Sequence, residues 1–184
     1  MTDLLHTLPG TLARVWDMLE AGVADRTAPA RHPVLATVGQ DGGAEARMVV
    51  LRGLDRDAGS VEVHTDSASN KVQEIATNPS CSMLIWDQDQ QLQIRLRTLI
   101  SLAPGTPEDW TRIPDTARRA YGGTPAPGTE IADPADHDPT PDFRRFTILN
   151  ARIDAIETLN LGPDLHRRAV FLRNDGFAGA WLAP

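Results

Sequence analysis

The sequence predicts a mainly β fold, a small antiparallel barrel with peripheral helices. Three observations predict it. Short runs with apolar alternation follow one another at close spacing. Turn-forming stretches such as Gly39-Gln40-Asp41-Gly42-Gly43 separate them. Helical periodicity is confined to a few flanking segments. The length of 184 residues suits one domain over 1–184 and is enough to bury a sizeable core.

Taken in order, Leu12, Val15, Trp16 and Leu19 recur at steps of three and four, which puts one apolar face on a helix over 9–22. From Pro33 to Val38 the period falls to two and a strand begins. Asp41-Gly42 supplies a hairpin turn, and Glu45 to Arg52 reads as one return strand. Val61 to Thr65 is the next strand. Asp66 to Asn70 is a polar cap region before a short helix, Lys71 to Thr77, with Val72, Ile75 and Ala76 on one face. Asn78-Pro79 stops that helix. Cys81 to Trp86 and Gln91 to Leu102 are strands. In the second, Leu92, Ile94 and Leu96 face one way and Gln93, Arg95 and Arg97 the other. Pro107 to Tyr121 is helical with a break near Pro114. Residues 122–141, rich in Pro, Gly, Asp and Thr, form a long irregular loop. Strand alternation resumes over Phe146 to Glu157, Arg168 to Leu172 and Gly179 to Leu182.

Composition narrows the function. Net charge is -7, which disfavours nucleic acid and anionic membrane as partners. No apolar run approaches the ~18 residues of a membrane-spanning helix. Met1 to Leu5 lacks the pattern of a signal peptide. The single cysteine, Cys81, offers neither an internal disulfide nor a multi-cysteine metal site, and the expected location is the cytoplasm. Of the 18 basic residues only Lys71 is a lysine.

That lysine stands where chemistry can gather. Arg47 and Arg52 lie on one predicted strand. Thr65, Ser67 and Ser69 lead to Lys71 at a helix start. A helix N-terminus presents unpaired N–H groups and partial positive charge, and hydroxyls and cations beside it make a phosphate site. The alternative reading of the same residues is an ordinary N-cap, with Arg47 and Arg52 on opposite strand faces and one of them solvated.

The ordered set Arg47-Met48-Val49-Val50-Leu51-Arg52, His64 to Lys71, Asn78-Pro79, Trp86 and Leu92-Gln93-Ile94-Arg95 resembles the pyridoxamine 5'-phosphate oxidase superfamily, nearest to its divergent oxidase-related branch. The resemblance covers Pro33 to Leu102. It implies an FMN-binding split barrel, a small antiparallel Greek-key barrel, and a homodimer with FMN at the subunit interface. It also implies a flavin oxidoreductase acting on a small substrate. By the same resemblance Arg47 and Lys71 meet the FMN phosphate, with Ser69 as the hydroxyl beside them. Thr65 meets the isoalloxazine region. Met48, Val49 and Val50 belong to the matched cofactor-binding stretch. His64 replaces the usual aromatic, Asn70 stands where an arginine is common, and Arg52 takes the place of a lysine near substrate and flavin. Gln93 corresponds to a glutamine on the flavin ring, and Arg168 to an arginine contributed by the partner subunit. For the substrate, Arg118 is the mid-chain candidate and His166 is kept in the C-terminal motif. Asp164 stands where that motif has an arginine, and a carboxylate there repels a phosphate ester. The alternatives are a non-catalytic binder of flavin, deazaflavin or heme, and a cofactor-free interaction barrel.

Elsewhere the expectations are structural. The histidines have no metal-ligand spacing. Trp86 and Trp181 are assigned to the core, and Cys81 is expected to be buried and inert. The acidic residues from Asp133 to Asp138 are expected to be solvated.

Overall fold

The computed structural model describes residues 4–184; the reading of Met1 to Asp3 lies outside them. The described chain begins, after a short 3-10 turn, with helix α1 (Leu8–Ala24). It starts one residue earlier than expected, where Thr7 caps it with its side chain accepting from the Gly10 N–H, and runs two residues further, to Ala24. Strands β1 (Val34–Val38), β2 (Ala44–Met48), β3 (Leu51–Asp55) and β4 (Ser60–Asp66) follow, then helix α2 (Asn70–Thr77). Strands β5 (Ser80–Asp87) and β6 (Leu92–Pro104) precede the short helices α3 (Pro107–Arg112) and α4 (Asp115–Arg118). Beyond the loop come β7 (Phe146–Leu161), β8 (His166–Leu172) and β9 (Ala180–Leu182). Every strand pair is antiparallel.

The strands form one sheet in the order β2-β1-β5-β6-β7-β4-β3, with β8 on β7 and β9 on β8. The expected single return strand from Glu45 to Arg52 is therefore two. β2 pairs with β1, while β3 pairs with β4 at the other end of the path. Val49 and Val50 carry the chain between these two partners. Val49 is buried, and its N–H donates to the Pro33 carbonyl.

Alternation decides what enters the core. On β5, Cys81, Met83 and Ile85 face inward; on β6, Leu92, Ile94 and Leu96 do. Val15, Met18 and Leu19 of α1 join them in one buried cluster. The register puts Ser82, Leu84 and Trp86 on the opposite face of β5, so Trp86 is 43% exposed and not a core residue. Trp181, on the edge strand β9, is likewise 44% exposed. A second apolar cluster of Ile113, Tyr121, Phe146 and Ile148, with Trp110 and Phe143 packed on it, fastens α3 and the start of the long loop to the end of the sheet.

Candidate functional site

β4 and α2 meet at a tight corner. Asp66 ends the strand, Ser69 takes the N-cap position, and Lys71 lies in the first turn. Ser69 does not cap the helix with its side chain. Its Oγ donates instead to the Asp66 carbonyl at 2.7 Å. The Lys71 ammonium reaches back to the Thr65 Oγ1 at 3.2 Å, and that hydroxyl lies 3.3 Å from the Ser69 Oγ. The hydroxyls that sequence reasoning offers as a cap are thus tied to the strand and to the lysine. No side chain caps the first turn of α2, although the Val72 N–H donates to the Ser69 carbonyl at 2.9 Å.

Arg47 approaches the same corner from β2. It donates to the Glu74 carboxylate at 2.8 Å and also to the Thr37 hydroxyl. Thr37 in turn donates to Glu74 at 2.5 Å. Glu74 is nearly fully buried in α2, where Val72, Ile75 and Ala76 were expected to form the buried face. Ile75 and Glu74 are the buried residues, and Ala76 is exposed. Arg47, Ser69, Asn70 and Lys71 line one cleft of about 300 Å³, together with Glu45, Glu74 and the loop residues Pro127 and Gly128. Burial, then repulsion from Arg47, pulls the Lys71 pKa below its ordinary value, while Asp66 and Glu74 oppose the shift.

The loop tip reaches this cleft because its base is anchored at the same corner. Asp66 is buried and accepts from the Gly122 N–H at 2.8 Å and from Arg145 Nε at 2.8 Å. Arg145 also donates to the Gly123 carbonyl at 3.0 Å. Among the residues expected at the site, Arg52 and His64 line a neighbouring cleft of about 280 Å³ rather than this one. Within it, His64 Nε2 lies 2.6 Å from a Glu62 carboxylate oxygen. Arg52 Nε is buried with no hydrogen-bond partner. Val50 lines a third cleft beside Arg52. Thr65 is buried beneath Lys71, and Met48 is 64% exposed on the outer face.

Gln93 and Arg168 line none of these clefts. They share a row across the outer face of the sheet, because Trp86 pairs with Gln93, Gln93 with Leu159, Leu159 with Arg168 and Arg168 with Leu182. Arg168 holds Glu157 at 2.6 Å, and Arg95 holds it from the other side at 2.5 Å. Burial works to raise the Glu157 carboxyl, but the hydrogen bonds from Arg168 and Arg95 prevail and hold it below its ordinary value. His166 is exposed at the start of β8. Arg118, offered as a substrate contact, is engaged elsewhere: it bonds the Trp110 carbonyl at 3.2 Å, pairs with Asp115 at 2.7 Å and lies 5.3 Å from the centre of the Trp110 ring. Among the described residues no group of three or more His, Cys, Asp or Glu could hold a metal ion. None of the described helices is long and apolar enough to cross a membrane.

Sequence reasoning missed Glu74, Asp66, Arg145 and the loop tip. Each matters through a partner far along the chain, and nothing local marks it.

Comparison with known proteins accords with this geometry. The family model for the pyridoxamine 5'-phosphate oxidase FMN-binding domain matches residues 13–103. Pyridoxine/pyridoxamine 5'-phosphate oxidase 2 of Arabidopsis thaliana is 27% identical over 107 residues, covering 56% of this chain and 54% of the plant protein. A pyridoxine/pyridoxamine 5'-phosphate oxidase of Rhodopseudomonas palustris is 29% identical over 130 residues, 70% of this chain and 56% of the relative. The chain thus spans about half the length of these curated relatives. Two solved structures share the fold. A pyridoxamine 5'-phosphate oxidase-related, FMN binding protein of Nostoc punctiforme superposes with a TM-score of 0.77 at 23% identity, covering 94% of this chain and 96% of that one. PhzG of Burkholderia lata, solved with tetrahydrophenazine-1-carboxylic acid, superposes with a TM-score of 0.71 at 21% identity, over 96% and 92% of the two chains. With a β4–α2 corner built from the matched residues and an antiparallel fold common to both structures, the chain is similar over residues 13–103 to the pyridoxamine 5'-phosphate oxidase FMN-binding family.

Proposed function

We propose that the protein binds FMN, with the phosphate in the Arg47–Lys71 cleft, and works as an FMN-dependent oxidoreductase on a small substrate. The observation that carries this reading is the start of α2. Its N–H groups have no side-chain cap, and Lys71 and Arg47 stand beside them. That donor set suits a phosphate dianion. Charge-assisted hydrogen bonds contribute roughly 1.5–3 kcal/mol each. Three or four of them supply much of the ~8–12 kcal/mol of micromolar to nanomolar binding. The family model is described as an FMN-binding domain, and the Nostoc relative as FMN binding.

Bound FMN would supply the electron-accepting ring. The chain's own part would be to grip the phosphate through Lys71, Arg47 and the α2 N–H groups, and to hold Thr65 and Arg52 toward the ring. We further propose a homodimer in which Arg168 of the partner reaches the flavin, with Gln93 on the flavin ring. The exposed apolar residues Trp86 and Leu182 flank both side chains on one sheet face, which supports such an interface.

The test is the absorption spectrum of the purified protein and an FMN titration of its ligand-free form. Flavin bands, or saturable uptake, are expected. Replacing Lys71 and Arg47 together with alanine should weaken uptake at least about tenfold, or ~1.4 kcal/mol. Unchanged affinity in a folded double variant would remove the phosphate assignment.

A further inference from the structure

The lining of the cleft at the start of α2 holds as much negative charge as positive. Its cations are Arg47 and Lys71, and its carboxylates are Glu45 and Glu74. Glu45 is exposed and stays in contact with water. Glu74 is not: its side chain is 6% exposed. A single Glu74 oxygen accepts from Arg47 at 2.8 Å and from the Thr37 hydroxyl at 2.5 Å. The charged and titratable groups around it are Arg47 and Glu45 of β2, Lys71 of α2 itself and Cys81 of β5. Thr37 of β1 is uncharged. β6, which also packs on α2, turns uncharged residues inward, among them Thr98 and Ile100. Cys81 carries no charge at neutral pH, because burial pushes its thiol up to about 11. Asp66 of β4 acts on Lys71 but is itself held by Arg145 at 2.8 Å.

A phosphate dianion entering this cleft has to draw on Arg47 and Lys71, and Arg47 already serves Glu74. Two anions that share one cation in shielded surroundings do not both keep full charge; the pair binds a proton. The network around Glu74 has a place for it. A threonine hydroxyl accepts as well as donates. Once its O–H turns away, the Thr37 oxygen can accept from a protonated Glu74, and Arg47 is released to the incoming anion. We propose that phosphate binding at this cleft is coupled to the uptake of a proton from solvent at Glu74. The inference rests on the FMN reading above, whose phosphate fills the cleft. The sign follows from linkage: the bound state holds more protons than the free state, so FMN affinity falls as pH rises, by up to about tenfold per pH unit for one proton.

The experiment is calorimetric titration of the ligand-free full chain with FMN at about pH 8, in buffers of different ionisation enthalpy. A free phosphate monoester is already a dianion there, since its second pKa lies near ~6. The dependence of the heat on buffer ionisation enthalpy counts the protons taken up. Glu74→Gln and Lys71→Arg are titrated alongside. Wild-type protein is expected to take up about one proton per FMN. Glu74→Gln should take up none and bind FMN more tightly. Lys71→Arg, whose cation cannot lose its proton, should take up as much as the wild type. FMN binding without proton uptake overturns the proposal and leaves the FMN reading standing. Uptake that persists in Glu74→Gln, or that vanishes in Lys71→Arg, moves the proton to Lys71 and overturns it as well. The wild-type and Lys71→Arg slopes decide the matter even where Glu74→Gln does not fold. A folded wild-type chain that takes up no FMN overturns the flavin reading, and this inference with it.

Discussion

Glu74 places a buried carboxylate within a cleft proposed to take an anion, but its charge is engaged. Arg47 at 2.8 Å and Thr37 at 2.5 Å both donate to the same oxygen. The side chains are 6% exposed for Glu74 and 22% for Arg47, so the pair is shielded on the helix side. Breaking such a pair leaves an uncompensated charge. Glu74→Gln keeps the shape and removes the charge. It should lower stability by roughly 1–3 kcal/mol and, by freeing Arg47, tighten FMN binding. Thermal unfolding and an FMN titration of the same variant check both directions; weaker FMN binding in a folded Glu74→Gln would contradict the arrangement. Lys71 gives a pH test. Its folded pKa is lowered, so between that value and the ordinary ~10.4 the unfolded chain holds a proton that the folded chain has lost. Ligand-free protein should therefore gain stability from this group as pH rises through that window. FMN affinity should fall over the same range as the ammonium is lost. Cys81, buried on β5 and pushed up to about 11, should resist alkylation at neutral pH until the chain unfolds. Residue identity made Lys71 legible in the sequence, as the one lysine at a helix start. It could not make Glu74 legible, because an acid on a helix looks solvated until distant segments cover it.

At the scale of elements, periodicity carried most of the reading. Strands β1, β5 and β6 bury one face, and the period of two survives in the sequence. The division between β2 and β3 left no such mark. Val49 and Val50 are as strand-like as their neighbours, and the break arises because β1 and β4 claim the two halves. Trp86 was misplaced for a related reason. Its size suggests the core, while its parity with Ser82 and Leu84 puts it outside. The loop over 122–141 was legible as a loop, but its anchorage was not. Gly122, at φ +108, lies where a Cβ would collide with the Asp142 backbone, and its N–H binds Asp66. Gly122→Ala should cost roughly 3 kcal/mol. It should also speed FMN release, because Pro127 and Gly128 would lose their place at the cleft. Unfolding and stopped-flow dissociation measure the two effects, and a variant with native stability would contradict the anchoring role.

At the scale of the molecule, the outer sheet face joins exposed Met48, Leu84, Trp86 and Leu182 to the row that bears Gln93 and Arg168. A stable interface buries about 1,600 Å² in total. Sedimentation should give twice the 20.0 kDa chain mass. Trp86→Arg should yield monomers whose FMN affinity has dropped at least tenfold, ~1.4 kcal/mol. The central claim, however, is that the corner of β4 and α2 grips a phosphate. Parallel titrations with FMN and riboflavin, which differ in that group alone, test it most directly. The account predicts FMN binding at least tenfold tighter than riboflavin, ~1.4 kcal/mol, with that preference lost in Lys71→Ala. Equal affinity for the two flavins, or a preference that survives without the lysine, would contradict it.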